Sequence, residues 1–342
     1  MKKICVLALL LALCLTLGAL SGCTTGKDTT VAAAYGDTEL PAGIYIYYIV
    51  TAHNDAYNYV EDPLKNALDQ KIDGTDASDW ITARAKDMLR AHAAVEAKFS
   101  EYGLTLDETA LAEVSNSADT LWINYGDEMQ RYGISRTSVE AVILNNKKSV
   151  VLQDFLYGKG GEKEIPEQEL LDYYQENYRR VAMLPISLSG LDEEKLTEAK
   201  ALFSEYTARA EAGESLLSLM VEEYARTQSV TPEQAALVYT ESTYERLVAR
   251  ESSGYPAGLL DQVFEAEQDT LQTFESDTHA VLFEVHDLLG DGSAFENSRK
   301  TLVQIVSADD YRTLVLGWAD EIGLSINEAA VRRYTPKAIS SR

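Results

Sequence analysis

The stretch Arg180-Val181-Ala182-Met183-Leu184-Pro185-Ile186-Ser187-Leu188 decides the fold. Before it the chain reads as helix with few breaks. From Val181 to Leu188 an apolar run of strand length takes over. Downstream, Leu191 to Ala212 is an amphipathic helix through Leu196, Ala199, Leu202, Phe203 and Tyr206, stopped by Gly213, and Leu216 to Ala225 is another. A looser stretch bearing Thr, Ser, Pro and Gly runs from Thr227 to Gly258. Leu259, Leu260, Val263 and Phe264 suggest one more helical turn, and Ala280 to Val285 is a second strand, ended by a Gly290-Asp291-Gly292 turn. This strand–helix–helix–strand unit of about 110 residues is domain-sized.

Towards the N-terminus, Val31 to Tyr35 with Gly36-Asp37 reads as a short strand and turn. The run Ile44 to Val50 is ambiguous by periodicity, but Ala52, Ala56 and Tyr59 extend it as a helix from near Pro41, broken at Asp62-Pro63. Ser78 or Asp79 caps a helix from Trp80 to Tyr102, with Ile81, Ala85, Met88, Leu89, His92, Val95 and Phe99 at helical spacing. Asp107 caps the next, whose broad face carries Leu111, Val114, Ala118, Leu121, Trp122, Tyr125 and Met129, and Gly133 ends it. Ser135 opens a third, stopped at Gly158. Gly158-Lys159-Gly160-Gly161 is a linker and no phosphate loop, because neither Ser nor Thr follows the lysine. Pro166 starts a short helix to Tyr174. At the other end, Phe295 or Arg299 to Glu321 is expected as one helix, and Leu324 to Asn327 and Val331 to Tyr334 as extended segments. That helix is too amphipathic to stand alone, and its simplest partner is the N-terminal helical part. The expected fold is α+β, mostly α: a helical domain built from N- and C-terminal segments, with a small α/β unit inserted.

At the start, Lys2 and Lys3 precede an apolar run from Ile4 to Leu20, then Leu20-Ser21-Gly22-Cys23. A basic end, an apolar core and small residues before a cut site make a secretory signal peptide. Leu-Ser-Gly-Cys looks like the lipobox of a bacterial lipoprotein, with Cys23 supplying a thiol for a lipid thioether. An uncleaved anchor is the alternative, but the run sits at the short limit of the roughly 17–25 residues that span a bilayer. Thr24 to Thr30 reads as a polar spacer.

The three cysteines are Cys5, Cys14 and Cys23. Cleavage removes two and lipid takes the third, which leaves the mature fold neither a disulfide nor a thiolate for catalysis or metal. The net charge of −25 argues against nucleic acid and against lying flat on an anionic membrane. The four histidines are His53, His92, His279 and His286. His92 lies mid-helix among apolar residues and reads as packed. No metal-ligand pair, nucleophile elbow or calcium loop is present, and Asp73, Asp76 and Asp79 around Gly74 miss the calcium spacing. The residues give no catalytic centre, metal or cofactor. What they do give is aromatic and Met content on helices, at Tyr45, Tyr47, Tyr48, Trp122, Tyr125, Met129 and Tyr132, beyond one buried stripe, with Tyr45, Tyr48, Trp122, Tyr125, Met129 and Tyr132 the candidates for adaptable apolar binding. For any one of them, ordinary packing between helices is the alternative.

Three stretches resemble the extracytoplasmic foldase lipoproteins of the PrsA and SurA kind. They are Val31 to Asp37 before a long helix; Tyr125-Gly126 and Tyr132-Gly133-Ile134-Ser135, then Ile165 to Tyr174; and Ala212-Gly213-Glu214-Ser215-Leu216 through Tyr224-Ala225, similar to a parvulin helix pattern. The resemblance implies a signal peptide (1–23), a linker (24–30), a SurA-like helical chaperone domain (31–180 plus 294–342) and a parvulin-like domain (181–293). It implies a chaperone that holds unfolded exported polypeptides outside the cytoplasm, tethered to the cell membrane through lipid on Cys23. Parvulins carry one histidine on the first strand and another near the last. Here the first strand offers Met183-Leu184-Pro185-Ile186, and the surroundings of His279 do not match; Leu216 replaces a Phe and Met220 a small Ala. Twisting a prolyl bond crosses a barrier of about 18–20 kcal/mol, so the inserted unit is expected to have lost most or all peptidyl-prolyl isomerase activity. An active isomerase with another centre, and an adaptor that binds one folded partner, are the rival functions.

Overall fold

A computed structural model describes residues 30–290 and 292–340; the signal peptide, Cys23, most of the spacer and Asp291 lie outside them. The chain forms two compact units. Residues up to Glu164 and from Ser307 onward make the first, and Ile165–Val306 makes the second. The fold is α+β and mostly helical.

In the first unit, β1 (Val31–Tyr35) and β2 (Thr38–Pro41) form a hairpin. Pro41 then caps α1 (Ala42–Ala56), a proline tolerated there because a helix start needs no N–H. A two-residue hairpin, β3 (Lys71–Ile72) and β4 (Thr75–Asp76), leads into α2 (Ala77–Glu101). Two more helices follow. In α3 (Glu108–Tyr132), Asp107 accepts the Ala110 N–H and Gly133 ends the helix at φ 94°; in α4 (Arg136–Tyr157), Ser135 accepts the Ser138 N–H. The core joins Tyr45, Ile46 and Ile49 of α1, Ile81, Ala85 and Leu89 of α2, and Val139 and Val142 of α4.

The second unit opens with α5 (Glu167–Asn177) and β5 (Tyr178–Ser187). Then come α6 (Glu193–Glu211), α7 (Leu216–Gln228), a single turn α8 (Pro232–Ala235), β6 (Glu245–Ala249), α9 (Leu259–Glu265), β7 (Leu271–Glu275) and β8 (His279–His286). The strands form an antiparallel sheet of order β6-β5-β8-β7. Both faces of its central pair are buried. Ala182, Leu184, Ile186 and Leu282 meet Phe203, Tyr206, Leu219 and Met220 on one side. Val181, Met183, Val281 and Phe283 meet Leu259, Val263 and Phe264 on the other. This two-sided burial is why β5 and β8 read as continuous apolar runs. Pro185 lies beyond the 178–182 stretch that pairs with β6, where β5 has β8 as its one neighbour among the described residues.

The single helix expected to Glu321 is two: α10 (Ser293–Val306) and α11 (Ala308–Glu321), parted at the buried Ser307. α10 belongs to the second unit, where Phe295 packs on Tyr174 and Arg299 meets Glu167 at 2.7 Å. The compact inserted unit is therefore 165–306, wider at both ends than the 181–293 read from sequence. α11 packs in the first unit, with Arg90 2.7 Å from Asp320, Lys98 over the Trp318 ring, and the Tyr311 hydroxyl donating to the Ser149 carbonyl. β9 (Ser325–Ile326) then pairs with β1, as an extended segment should. Val331 to Tyr334 is not extended: α12 (Glu328–Val331) is a helical turn capped by Asn327, and α13 (Pro336–Ser340) follows. The edge strands β6 and β7 fall where no strand was expected.

The helical core encloses a polar network. The Tyr48 hydroxyl and His92 Nδ1 lie 2.9 Å apart, both residues buried. Asn145 of α4 donates to the His92 carbonyl and to Glu96, and Lys148 meets Glu96 at 2.5 Å. Burial pushes the His92 pKa down to about 4, with Glu96 opposing and Lys148 adding. The ordinary value near 6.5 holds in the unfolded chain, so between these pH values the unfolded state binds more protons. Stability is expected to be whole above about pH 6.5 and to fall as pH drops to about 4, by on the order of 3 kcal/mol. Urea unfolding of wild type and His92→Gln across that window checks this; the variant should lose less. Two tyrosines give a second test. The Tyr45 hydroxyl is buried with no hydrogen-bond partner among the described residues, so Tyr45→Phe should be neutral or stabilising, whereas Tyr48→Phe orphans the His92 nitrogen and should cost about 1–3 kcal/mol. Equal effects of the two substitutions would contradict this assignment.

Candidate functional site

One opening in the first unit is a cleft of about 590 Å³ between α1, α3 and α13. Leu121, Tyr125, Met129 and Tyr132 line it from one side. Their spacing of four, four and three puts them on one face of α3. Tyr47, Val50, Thr51, His53 and Asn54 line it from α1, with Ile134 below and Pro336 and Ile339 from α13. Tyr125 is 53% exposed, so its ring is available to a ligand. The one carboxylate among the lining residues is Glu128, which accepts the Tyr132 hydroxyl at 2.6 Å. That bond, with burial second, raises the Tyr132 pKa. Burial lowers the His53 pKa and keeps the ring neutral near pH 7; its edge packs on Tyr57. A neutral ring and one carboxylate leave a surface suited to apolar side chains.

A second cleft, about 600 Å³, opens between α1, α2, α4 and α11. Tyr47 and Thr51 also line this one, with Tyr48, Trp80, Met88, Val315 and Leu316. Arg84 there is engaged by Asp55 at 3.0 Å, and Asp87 by Arg90 at 3.6 Å.

The structure sorts the six candidates. Tyr125, Met129 and Tyr132 come together in the first cleft, and Tyr48 edges the second while nearly buried. Trp122 is half-buried on another side of α3, packed on the core with its ring over Gly126, where a Cβ would stand 3.1 Å from it. Tyr45 is wholly buried, and a ring with no exposed surface cannot meet a ligand, so it is a core residue. The sequence reading had Tyr47 in its aromatic set but missed Leu121, His53 and Glu128 as lining residues, and the whole contribution of α13. Of these, Leu121 had a signal, its place on the apolar face that carries Tyr125 and Met129.

In the second unit the histidines lie at opposite ends of β8. His279 bonds Thr278 at 3.0 Å. His286 sits near Asp269, Glu245 and Glu284 at 3.5–3.9 Å, beside the Tyr244 ring, and Arg180 pairs with Glu245. The sheet face between them holds Val181, Met183, Val281 and Phe283, all buried under α9. Tyr255, Leu260, Ala266 and Phe274 pack partly buried against that cluster. No group of His, Cys, Asp and Glu among them could hold a metal ion, and no helix there is long and apolar enough to cross a membrane.

No protein-family model and no curated protein matches the chain. Solved structures are similar to it. Foldase protein PrsA from Streptococcus pneumoniae is 14% identical, over 71% of this chain and 85% of that one, at a TM-score of 0.40. Foldase protein PrsA from Lactococcus lactis is 10% identical, over 89% and 97%, at 0.38. PrsA from Bacillus subtilis is 11% identical, over 92% and 93%, at 0.26.

Proposed function

We propose that this chain is a membrane-tethered chaperone outside the cytoplasm that holds unfolded exported polypeptides in the cleft between α1 and α3. The observation that carries the reading is the stripe Leu121, Tyr125, Met129 and Tyr132, which faces a 590 Å³ opening instead of being closed by a neighbouring helix. Aromatic and thioether side chains make large, adaptable contacts that tolerate many sequences. The net charge of −25 keeps such a surface from self-association by repulsion. The tether is the lipid expected on Cys23, and more than one acyl chain is needed for stable anchoring. Cys23→Ala should move the protein out of the detergent phase; a variant that still partitions with membrane would contradict the lipid.

The chain from Thr24 onward should suppress aggregation of an unfolded client. Tyr125→Ala with Met129→Ala should weaken that by about tenfold, with little change in the urea midpoint, since Tyr125 is half exposed. No suppression at several-fold excess would sink the reading, and a single co-purifying folded partner would favour an adaptor instead. A protease-coupled prolyl peptide assay should give the uncatalysed rate, because the dry face of Met183, Val281 and Phe283 offers nothing to polarise or orient an amide. Measurable acceleration would favour an isomerase.

A further inference from the structure

Tyr47 and Thr51 stand one turn apart on α1, and both line both clefts. The clefts, about 590 and 600 Å³, therefore share a wall one side chain thick. That wall is braced: the Tyr47 ring packs edge-on against Tyr48 at 6.2 Å, and Tyr48 is pinned by its 2.9 Å hydrogen bond to His92. The two sides differ in charge. Glu128 is the carboxylate of the first cleft and meets no cation in an ion pair among the described residues. In the second, Arg84 and Asp87 are each engaged, which leaves the Arg312 guanidinium without an ion pair among the described residues.

We propose that the two clefts are subsites of one site divided by Tyr47, and that its occupant is an extended polypeptide segment with two apolar anchors. A cationic residue beside one anchor faces Glu128, and an anionic residue beside the other faces Arg312. This rests on the polypeptide-holding reading above. A strand-like segment advances about 3.3 Å per residue, so a few residues carry it over one tyrosine ring. A lipid acyl chain would fill either cleft but would leave at least one of the two charges unanswered. A polypeptide supplies both signs and two anchors in one molecule. Once the first anchor is seated, the second binds at an effective concentration in the millimolar range.

The test uses the full chain in lipid nanodiscs and fluorescent peptides read by anisotropy. Single-anchor peptides carry one Leu/Phe cluster. Two-anchor peptides carry two, joined by Gly/Ser spacers of graded length, with Lys beside one and Glu beside the other. At the best spacer a two-anchor peptide should bind 1:1 and about tenfold or more tighter than either single-anchor peptide. Tyr125→Ser and Leu316→Ser, in separate clefts, should each return it to single-anchor affinity. Reversed repulsive charges (Lys at both ends or Glu at both ends) should weaken binding by up to about fivefold, and Glu128→Gln with Arg312→Gln should erase that difference. Two-anchor peptides that bind no tighter at any spacer, or bind two to a chain, would overturn the divided site while leaving the single-cleft reading intact. Absence of binding by single-anchor peptides as well would overturn both.

Discussion

The bond between the Tyr48 hydroxyl and His92 Nδ1 is the contact on which the helical unit depends. It joins α1 to α2, and Asn145 extends it to α4 by bonding the His92 carbonyl and Glu96. A buried polar network holds one arrangement when its members are satisfied and is costly when they are not. Apolar contacts alone would tolerate a small rotation of α1. These bonds do not, because rotation would strand a histidine nitrogen. The orientation of α1 in turn puts Tyr47 and Thr51 at the clefts while Tyr45 stays inside. Which tyrosine packs and which is offered to solvent is thus decided by one neighbour, His92.

The second unit solves a different problem. Its sheet is covered on both sides, by α6 and α7 on one and by α9 on the other. A sheet buried on both faces is filled by apolar side chains and has little room for ionisable groups, whose burial is expensive unless they are paired. The ionisable side chains gather at the ends instead, with His286, Glu245, Asp269 and Arg180 at one and His279 at the other. Met183 and Phe283 pair directly across β5 and β8. Any polar centre on that face would have to displace them.

The sequence was most legible where burial was one-sided or complete. Helices α2, α3 and α4 carried a period, and α3 and α4 a cap as well: Asp107 and Ser135 bond the third N–H beyond them, and Gly133 takes the left-handed conformation that ends α3. Ser78 and Asp79, expected to cap α2, lie inside it, because the helix begins at Ala77 after Asp76 with no side-chain cap bond. β5 and β8 were legible as continuous apolar runs. The edge strands were not, because Glu245-Arg246-Leu247 and Leu271-Gln272-Thr273 have one neighbour each and mostly partial or full exposure, so no alternation is imposed on them. The break at Ser307 was hidden because neither Gly nor Pro marks it; the chain turns there with ψ near 1°, and Gln153 bonds the Ser307 hydroxyl. At the clefts, Tyr125, Met129 and Tyr132 were found because they share a helix face. α13 was missed because its partner is almost the whole chain away, a closeness that β1–β9 pairing creates and no local pattern encodes.

The core and the cleft lining draw on different residues of the same helices. Tyr45, Tyr48 and His92 are at most 7% exposed, so substituting them alters packing or a buried bond. Tyr125 retains half its surface, and Met129 and Tyr132 are only partly covered. Their remaining apolar area contributes little to stability, at about 25 cal/mol for each Å² that folding leaves uncovered, but it is the area that an occupant would remove from water. A chain with this division can change its cleft lining without losing its fold. It also carries a hazard, since uncovered aromatic surface attracts other copies. The charge of −25 opposes that, because like-charged copies repel at the distances where apolar contact would begin. Repulsion of this kind is screened by salt over about 10 Å at 0.1 M, whereas apolar contact is not, so acidity restrains self-association most at low salt.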